Sequence, residues 1–358
     1  MWIMLDKKRG VKEILPDAIN PYRWIMEARN LMFDKGIMES RSFSVPTICV
    51  GNISVGGTGK TPHTEYLIEL LRKNHKVAML SRGYGRKSKG YVKATHDSQM
   101  PIIGDEPFQI KNKFPDIDVA VCEKRVTGIE RLMAENRDID VILLDDAYQH
   151  RHVKAGLYIL LIDCNRPVWQ DRVLPFGRLR ESIGGIRRSD IVIMTKCDGI
   201  TPEQQEWCRS YIKEWKDIPV FFSKMEYGDC RPLFKECTAL PDAGEILLVT
   251  GIANPTPLRQ EIERRGAKVT MMQFGDHHNF TTGDFEKVAE KFLAMGSRSK
   301  AIITTEKDAT RLLQRDDLPE VIKQNIFALP IKVGFIGGEE KMFNQIIENY
   351  VTEDSRNS

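Results

Sequence analysis

Seven cysteines are scattered over 358 residues without one C-x-x-C pair or any metal-type Cys/His spacing. Cys49, Cys122 and Cys164 sit in or beside apolar, strand-like runs, so the expectation is buried thiols in a reducing cytoplasm. No stretch reaches eighteen consecutive apolar residues, and no transmembrane helix is expected. The N-terminal residues lack an apolar core followed by a small-residue cleavage site, so no secretory leader is expected. An excess of one charge sign is missing too: 53 basic residues nearly balance 50 acidic ones, leaving a net +3. That is too little to argue for a nucleic-acid partner. Internal repeats and low-complexity runs are absent. What remains is a chain with 41% apolar residues, enough to fill the cores of roughly two domains.

One stretch organises the rest. Val45-Pro46-Thr47-Ile48-Cys49-Val50 reads as a buried strand. It runs into Gly51-Asn52-Ile53-Ser54-Val55-Gly56-Gly57-Thr58-Gly59-Lys60-Thr61-Pro62, after which Glu65, Tyr66, Leu67, Ile68, Leu70 and Leu71 recur at helical spacing. Strand, glycine-rich turn and helix is the setting a phosphate-binding loop needs. Glycines let amide groups curl around an anion, and the helix N-terminus adds partial positive charge. Ser54, Val55, Gly56, Gly57, Thr58, Gly59, Lys60 and Thr61 are the phosphate-binding candidates. Lys60 would neutralise the β- and γ-phosphates, and the Thr61 hydroxyl would take a place on Mg²⁺. Ser54 stands where the usual pattern has its first glycine. The plainer alternative is a glycine turn with a chance Lys-Thr.

Further strands are expected at 76–80, 118–122, 141–144, 157–163 and 190–194. Val141 to Leu144 end in Asp145 and Asp146, the form in which a strand-terminal carboxylate reaches a Mg²⁺ shell. Ser81 to Lys87 is a basic loop suited to a phosphate, or simply a solvated turn. Gly104-Asp105-Glu106-Pro107 heads a helix, where Asp105 is either a functional group or only a cap. Arg178 and Arg180 with Glu181 occupy a loop whose guanidinium forks suit phosphate oxygens, or make surface salt bridges. Thr195-Lys196-Cys197-Asp198 resembles the element by which GTPases read guanine, and it seeds a rival reading as a nucleotide-gated switch. Strands alternating with helices imply a doubly wound sheet of the P-loop NTPase type. A second, smaller α/β unit begins near Glu245. Expected boundaries are an N-terminal segment at 1–40, a P-loop domain at 41–217, a two-stranded connector at 218–240, an α/β domain at 241–350 and a frayed tail at 351–358.

Taken together, Val50–Pro62, Ser81–Gly85, Gly104–Pro107, Val121–Arg125, Leu144–Arg151, Leu174–Glu181, Thr250–Asn254, Asp276–His278 and Thr304–Asp308 resemble the tetraacyldisaccharide 4′-kinase family. These motifs span nearly the whole chain in the family's order, and that family's loop also reads G-G-x-G-K-T-P. The resemblance implies transfer of the γ-phosphoryl of ATP, with Mg²⁺, to the 4′-hydroxyl of a tetraacylated glucosamine disaccharide 1-phosphate. It places the general base at Asp105 with His277 as its partner, His278 being a neighbour. Arg125, Arg180 and Glu181 are carried over as further site residues. With Asp105 in the first domain and His277 in the second, the pair is expected to assemble when the two close. The resemblance also implies the cytoplasmic face of a Gram-negative inner membrane. A helix from Pro21, with Trp24 and Phe33 among cations, fits interfacial attachment, or packing on its own domain. Arg23, Glu27, Arg29, Asp34 and Lys35 argue for a peripheral or monotopic association.

Overall fold

The computed structural model describes residues 19–237, 244–276, 278–297 and 299–356. The chain divides into two compact units. The first comprises residues 1–82, 117–224 and 334–358, and the second 83–116 and 225–333. This differs from the expected contiguous domain at 41–217, because the segment carrying Asp105 groups with the second unit. Contacts between residues far apart in the chain decide that grouping, and local pattern does not carry them.

In the first unit, seven parallel strands run in the order β8 (Val220–Tyr227), β7 (Ile191–Thr195), β6 (Leu157–Asp163), β1 (Thr47–Gly51), β5 (Val141–Asp145), β2 (Val77–Ser81) and β4 (Asp118–Val121). β1, β2, β5 and β7 are buried at every residue. That explains why they read as continuous apolar runs instead of alternating ones. The chain leaves β1 toward β2 and later returns through β5 to β6 on β1's other side. This reversal creates the crevice at the strands' carboxyl ends where such sheets bind ligands.

The second unit holds the short β3 (Val92–Lys93) and a sheet ordered β11 (Lys268–Gln273), β10 (Glu245–Thr250), β12 (Lys300–Thr305), β13 (Ile326–Leu329), β9 (Arg231–Pro232). Its strands are parallel except β9, which runs antiparallel to β13. Phe280, Phe285, Phe292, Leu247 and Ile302 fill one face of the sheet, and Leu248, Leu258, Ile262 and Ile303 the other. The expected two-stranded connector is corrected here. β8 does not pair with Arg231–Pro232; its outer neighbour is β14 (Ile331–Phe335). β8 leaves the first unit after Lys224, and β14 returns to it at Gly334.

Helix boundaries follow local chemistry. Thr201 and Gln204 form a capping box that starts Pro202–Lys213, and Thr281 with Asp284 starts Thr282–Leu293 in the same way. Asn20 caps the N-terminal helix Pro21–Asp34, with Pro21 in its first turn. One face of that helix is tied to the first unit. Asn20 donates to the Val173 and Leu174 carbonyls, Tyr22 to that of Arg180, and Asn30 to Glu181. Phe33 is buried against His152, with the Arg29 and Arg151 guanidiniums over its ring.

The expectation of a buried thiol holds for Cys49 and Cys122, and Cys208 is likewise free and buried. It does not hold for Cys164, which is bonded to Cys197. The two residues follow the neighbouring parallel strands β6 and β7, so the sheet sets them side by side whatever their distance in sequence.

Candidate functional site

The phosphate loop joins β1 to the helix Lys60–Leu71. Gly56 and Gly59 take positive φ, 109° and 87°, which glycine adopts without strain. Position 54 does not belong to this left-handed set. Its backbone instead bridges to Leu179, so a serine is tolerated there and the missing glycine is explained. Val55 N–H donates to the Arg178 carbonyl at 2.7 Å. Gly56 and Gly57 are exposed, with open space where a Cβ would stand. Below them, Asn52 donates to the Thr58 hydroxyl, and buried Thr195 donates to the Thr58 carbonyl at 2.9 Å.

Lys196 donates to the Gly57 carbonyl and pairs with Asp163. Two side chains of the guanine-reading lookalike are therefore engaged in bracing the phosphate loop, while Asp198 stands exposed. Sequence reasoning missed this bracing role. It also missed His63, whose Nδ1–H donates to the Gly59 carbonyl at 2.7 Å while Nε2 faces the Ser223 hydroxyl. Burial holds the His63 imidazole down at about 4, so the ring is neutral at working pH. The strand-proximal positions of Thr195 and Ser223 were the available signal.

At the end of β5 the two carboxylates separate. Asp145 is buried, with the Thr64 and Ser81 hydroxyls each 3.4 Å away. Asp146 adopts φ 46°, a left-handed conformation that Asp tolerates better than most residues. There it meets Arg180 at 2.9 Å and Lys60 at 3.7 Å. Burial opposes its ionisation, but Lys60 and Arg180 outweigh burial and hold the carboxyl below the usual range. Arg125 is buried, donates to the Cys122 carbonyl at 2.9 Å and leaves its Nε without a hydrogen-bond partner among the described residues. Burial lowers its affinity for the proton, and the charges of Asp145 and Asp146 counter that effect. Its backbone N–H donates to His150, which burial and then Arg125 hold down at about 4.

Glu181 is 1% exposed and fully engaged. Arg188 clamps it at 2.7 and 2.8 Å, and Gln149 and Asn30 donate to it. Gln149 also donates to the Asn52 carbonyl at the foot of the loop. Gln149 and Arg188 are further residues that sequence reasoning left without a role.

These residues fit a magnesium nucleotide. Among the described residues no cluster of three or more His, Cys, Asp or Glu side chains forms an all-protein metal cage. Magnesium does not need one, since it binds through one or two carboxylates and completes its shell with phosphates and water. Thr61 in the first turn of the helix, with Asp145 and Asp146, offers the hard oxygen donors that Mg²⁺ prefers.

Asp105 lies in the second unit, at the start of the helix Asp105–Lys113. Arg311 pairs with its carboxylate and also with buried Asp308, at 3.0 Å. Asp308 in turn accepts from the Gly251 N–H and the Thr305 hydroxyl, each at 2.9 Å. His277 lies outside the described residues. His278 is occupied elsewhere: its ring stacks on Phe274 and its Nε2 meets Asp284 at 2.9 Å. Because residues 83–116 and 225–333 form one unit, Asp105 and the segment flanking 277 belong together. The expected assembly of the pair by closure of two domains is therefore corrected.

Three comparisons bear on what this arrangement does. Residues 15–352 match the family model described as tetraacyldisaccharide-1-P 4′-kinase. The tetraacyldisaccharide 4′-kinase of Bacteroides thetaiotaomicron is 46% identical over 356 residues, covering 94% of each chain. That of Flavobacterium psychrophilum is 42% identical, covering 97% of this chain and 98% of its own. Among solved structures, LpxK from Aquifex aeolicus in complex with ATP superposes with a TM-score of 0.71 at 28% identity. That likeness covers 95% of this chain and 99% of the other.

Proposed function

The chain belongs to the tetraacyldisaccharide 4′-kinase family, and we propose that Asp105 and His277 supply the proton-accepting pair of its reaction. The enzyme transfers the γ-phosphoryl of ATP to the 4′-hydroxyl of the tetraacyldisaccharide 1-phosphate in lipid A synthesis. The sugar oxygen forms a bond to the γ-phosphorus as the bond to the β–γ bridging oxygen breaks. The electron pair leaves with ADP, and the hydroxyl proton passes to the Asp105 carboxylate. A base placed this way contributes about 10²–10⁴-fold. Lys60 and the loop amides hold the phosphates, and Arg125 and Arg180 add positive charge around them. Thr61 with Asp145 and Asp146 would hold Mg²⁺, which supplies charge neutralisation when bound. Glu181 acts from behind, by fixing Gln149 and the N-terminal helix.

The observation that carries the reading is Asp146, drawn between Lys60 and Arg180 beside an exposed glycine cradle. Label transfer from ATP to a lipid A disaccharide monophosphate in detergent micelles tests it. Asp105→Asn should lower kcat about 10²–10⁴-fold with ATP affinity near normal. A wild-type rate would remove Asp105 from the role.

The same reading gives the N-terminal helix a partner. Trp24, Ile25, Ala28, Leu31 and Met32 are exposed at i, i+1, i+4, i+7 and i+8, opposite the face tied to the protein. No helix of the described residues is long and apolar enough to cross a membrane. Such an apolar stripe suits an interfacial helix, at the inner membrane's cytoplasmic face where an acylated disaccharide presents its headgroup. Serine at Trp24, Ile25 and Leu31 together should abolish co-sedimentation with anionic vesicles; undiminished sedimentation refutes the docking.

A further inference from the structure

We infer that Arg311 is a positioning residue for Asp105, with Asp308 as its counter-charge, an inference that rests on Asp105 serving as the base. The helices Asp105–Lys113 and Glu306–Leu312 are pinned together at both ends. Lys113 pairs with Glu306 at 3.1 Å, and Arg311 pairs with Asp105. Asp105 thus meets the last turn of its neighbour, while the opposite ends meet at Glu306. Arg311 is almost wholly buried, its side chain 3% exposed, and Asp308 is 0% exposed. A buried guanidinium requires an ionised partner, and Asp308 meets that need without Asp105. Asp308 is in turn fixed by the Gly251 N–H and by Thr305, which caps the helix.

The order of fixation runs from the backbone to the reacting group: Gly251 and Thr305 hold Asp308, Asp308 holds Arg311, and Arg311 holds Asp105. One guanidinium arm is committed to the scaffold and the other sets the rotamer of a carboxylate that is a quarter exposed. The rigid fork of Arg makes that double engagement possible, and a lysine ammonium reproduces its charge without its geometry. Among the described residues, Glu106 adjoins Asp105 in sequence, and on the neighbouring helix Lys307 pairs with Asp276 at 3.6 Å. A cation against a carboxylate favours the ionised form, and a second anion behind that cation weakens the effect.

The pH dependence of lipid-dependent transfer tests this in the full chain. Arg311→Met should lower kcat at least tenfold with the KM for ATP unchanged. It should also move the acid limb of the kcat/KM profile up by about one pH unit or more. Arg311→Lys should return the limb to its wild-type position while restoring only part of the rate. Asp308→Asn leaves Arg311 less neutralised and should move the limb the opposite way, to lower pH. A merely structural role lowers the active fraction in all three variants and moves no limb. Unmoved limbs, with Asp105→Asn inactive, overturn the positioning role alone. An active Asp105→Asn overturns the base assignment and this inference with it.

Discussion

The phosphate loop and the surroundings of Asp105 are built in opposite ways. The loop is made by one continuous stretch, 47–71, in which strand, glycine turn and helix each form for local reasons and together leave Gly56 and Gly57 exposed. Asp105 depends on a residue 206 positions away, Arg311, and on a second anion that neutralises it. A phosphate site needs backbone donors and one cation, which a short sequence can encode. A tuned carboxylate needs a charge at a fixed distance, and only tertiary structure supplies that. Two of the loop's supports are also long-range, Thr195 and Lys196 bracing it from the end of β7, while His63 in the loop's own helix links Gly59 to Ser223.

If bracing matters, the largest effect should follow from breaking the buried pair beneath the loop. Removing Arg188 strands Glu181, a 1% exposed carboxylate whose remaining hydrogen-bond donors among the described residues, Asn30 and Gln149, are neutral. Arg188→Met should cost about 3–5 kcal/mol, the usual penalty for an unpaired buried charge. Denaturant unfolding monitored in the first unit measures it, and a loss under about 1 kcal/mol would make the pair dispensable. Lys60→Met comes next. It removes the charge proposed to face the phosphates while sparing the fold, since among the described residues the one ion pair of Lys60 is with Asp146, at 3.7 Å. The expected loss is about 10²–10³-fold in kcat, comparable to deleting one donor from an oxyanion site, with the midpoint of unfolding unchanged. Less than a tenfold loss would shift the burden to Arg125 and Arg180.

This contrast also explains what the sequence made legible. β1, the loop and its helix, and the Asp145–Asp146 strand end could be placed because buried parallel strands read as apolar runs and the loop is contiguous. The grouping of 83–116 with 225–333 was not legible, because ion pairs such as Lys113–Glu306 have no local signature. Nor was the pairing of β8 with β14, whose partners lie about a hundred residues apart. Cys164 read as a buried thiol with no link to Cys197, because their proximity is a property of the sheet. Thr195–Asp198 misled for a related reason: its spacing matches a base-reading element, yet Thr195 and Lys196 turn to the loop carbonyls.

The smallest predicted effect concerns the histidine that stands beside the proposed partner. His278 donates to Asp284 and, with Thr281, holds that carboxyl down at about 2 against the cost of burial. A depressed carboxylate stabilises the fold above its unfolded value, about 3.9. That contribution is lost as pH falls through about 2. Asp284→Asn should therefore flatten the acid side of the stability curve between about pH 4 and 2. It should leave the neutral-pH rate within about twofold, because an amide oxygen at N3 can still accept from the Thr281 N–H and the carboxylate is committed to the helix start. Acid titration of circular dichroism, with turnover measured in parallel, separates the two readouts. A collapse of turnover without loss of fold would mean that His278 takes part in catalysis, and the division of labour between the adjacent histidines would have to be reversed.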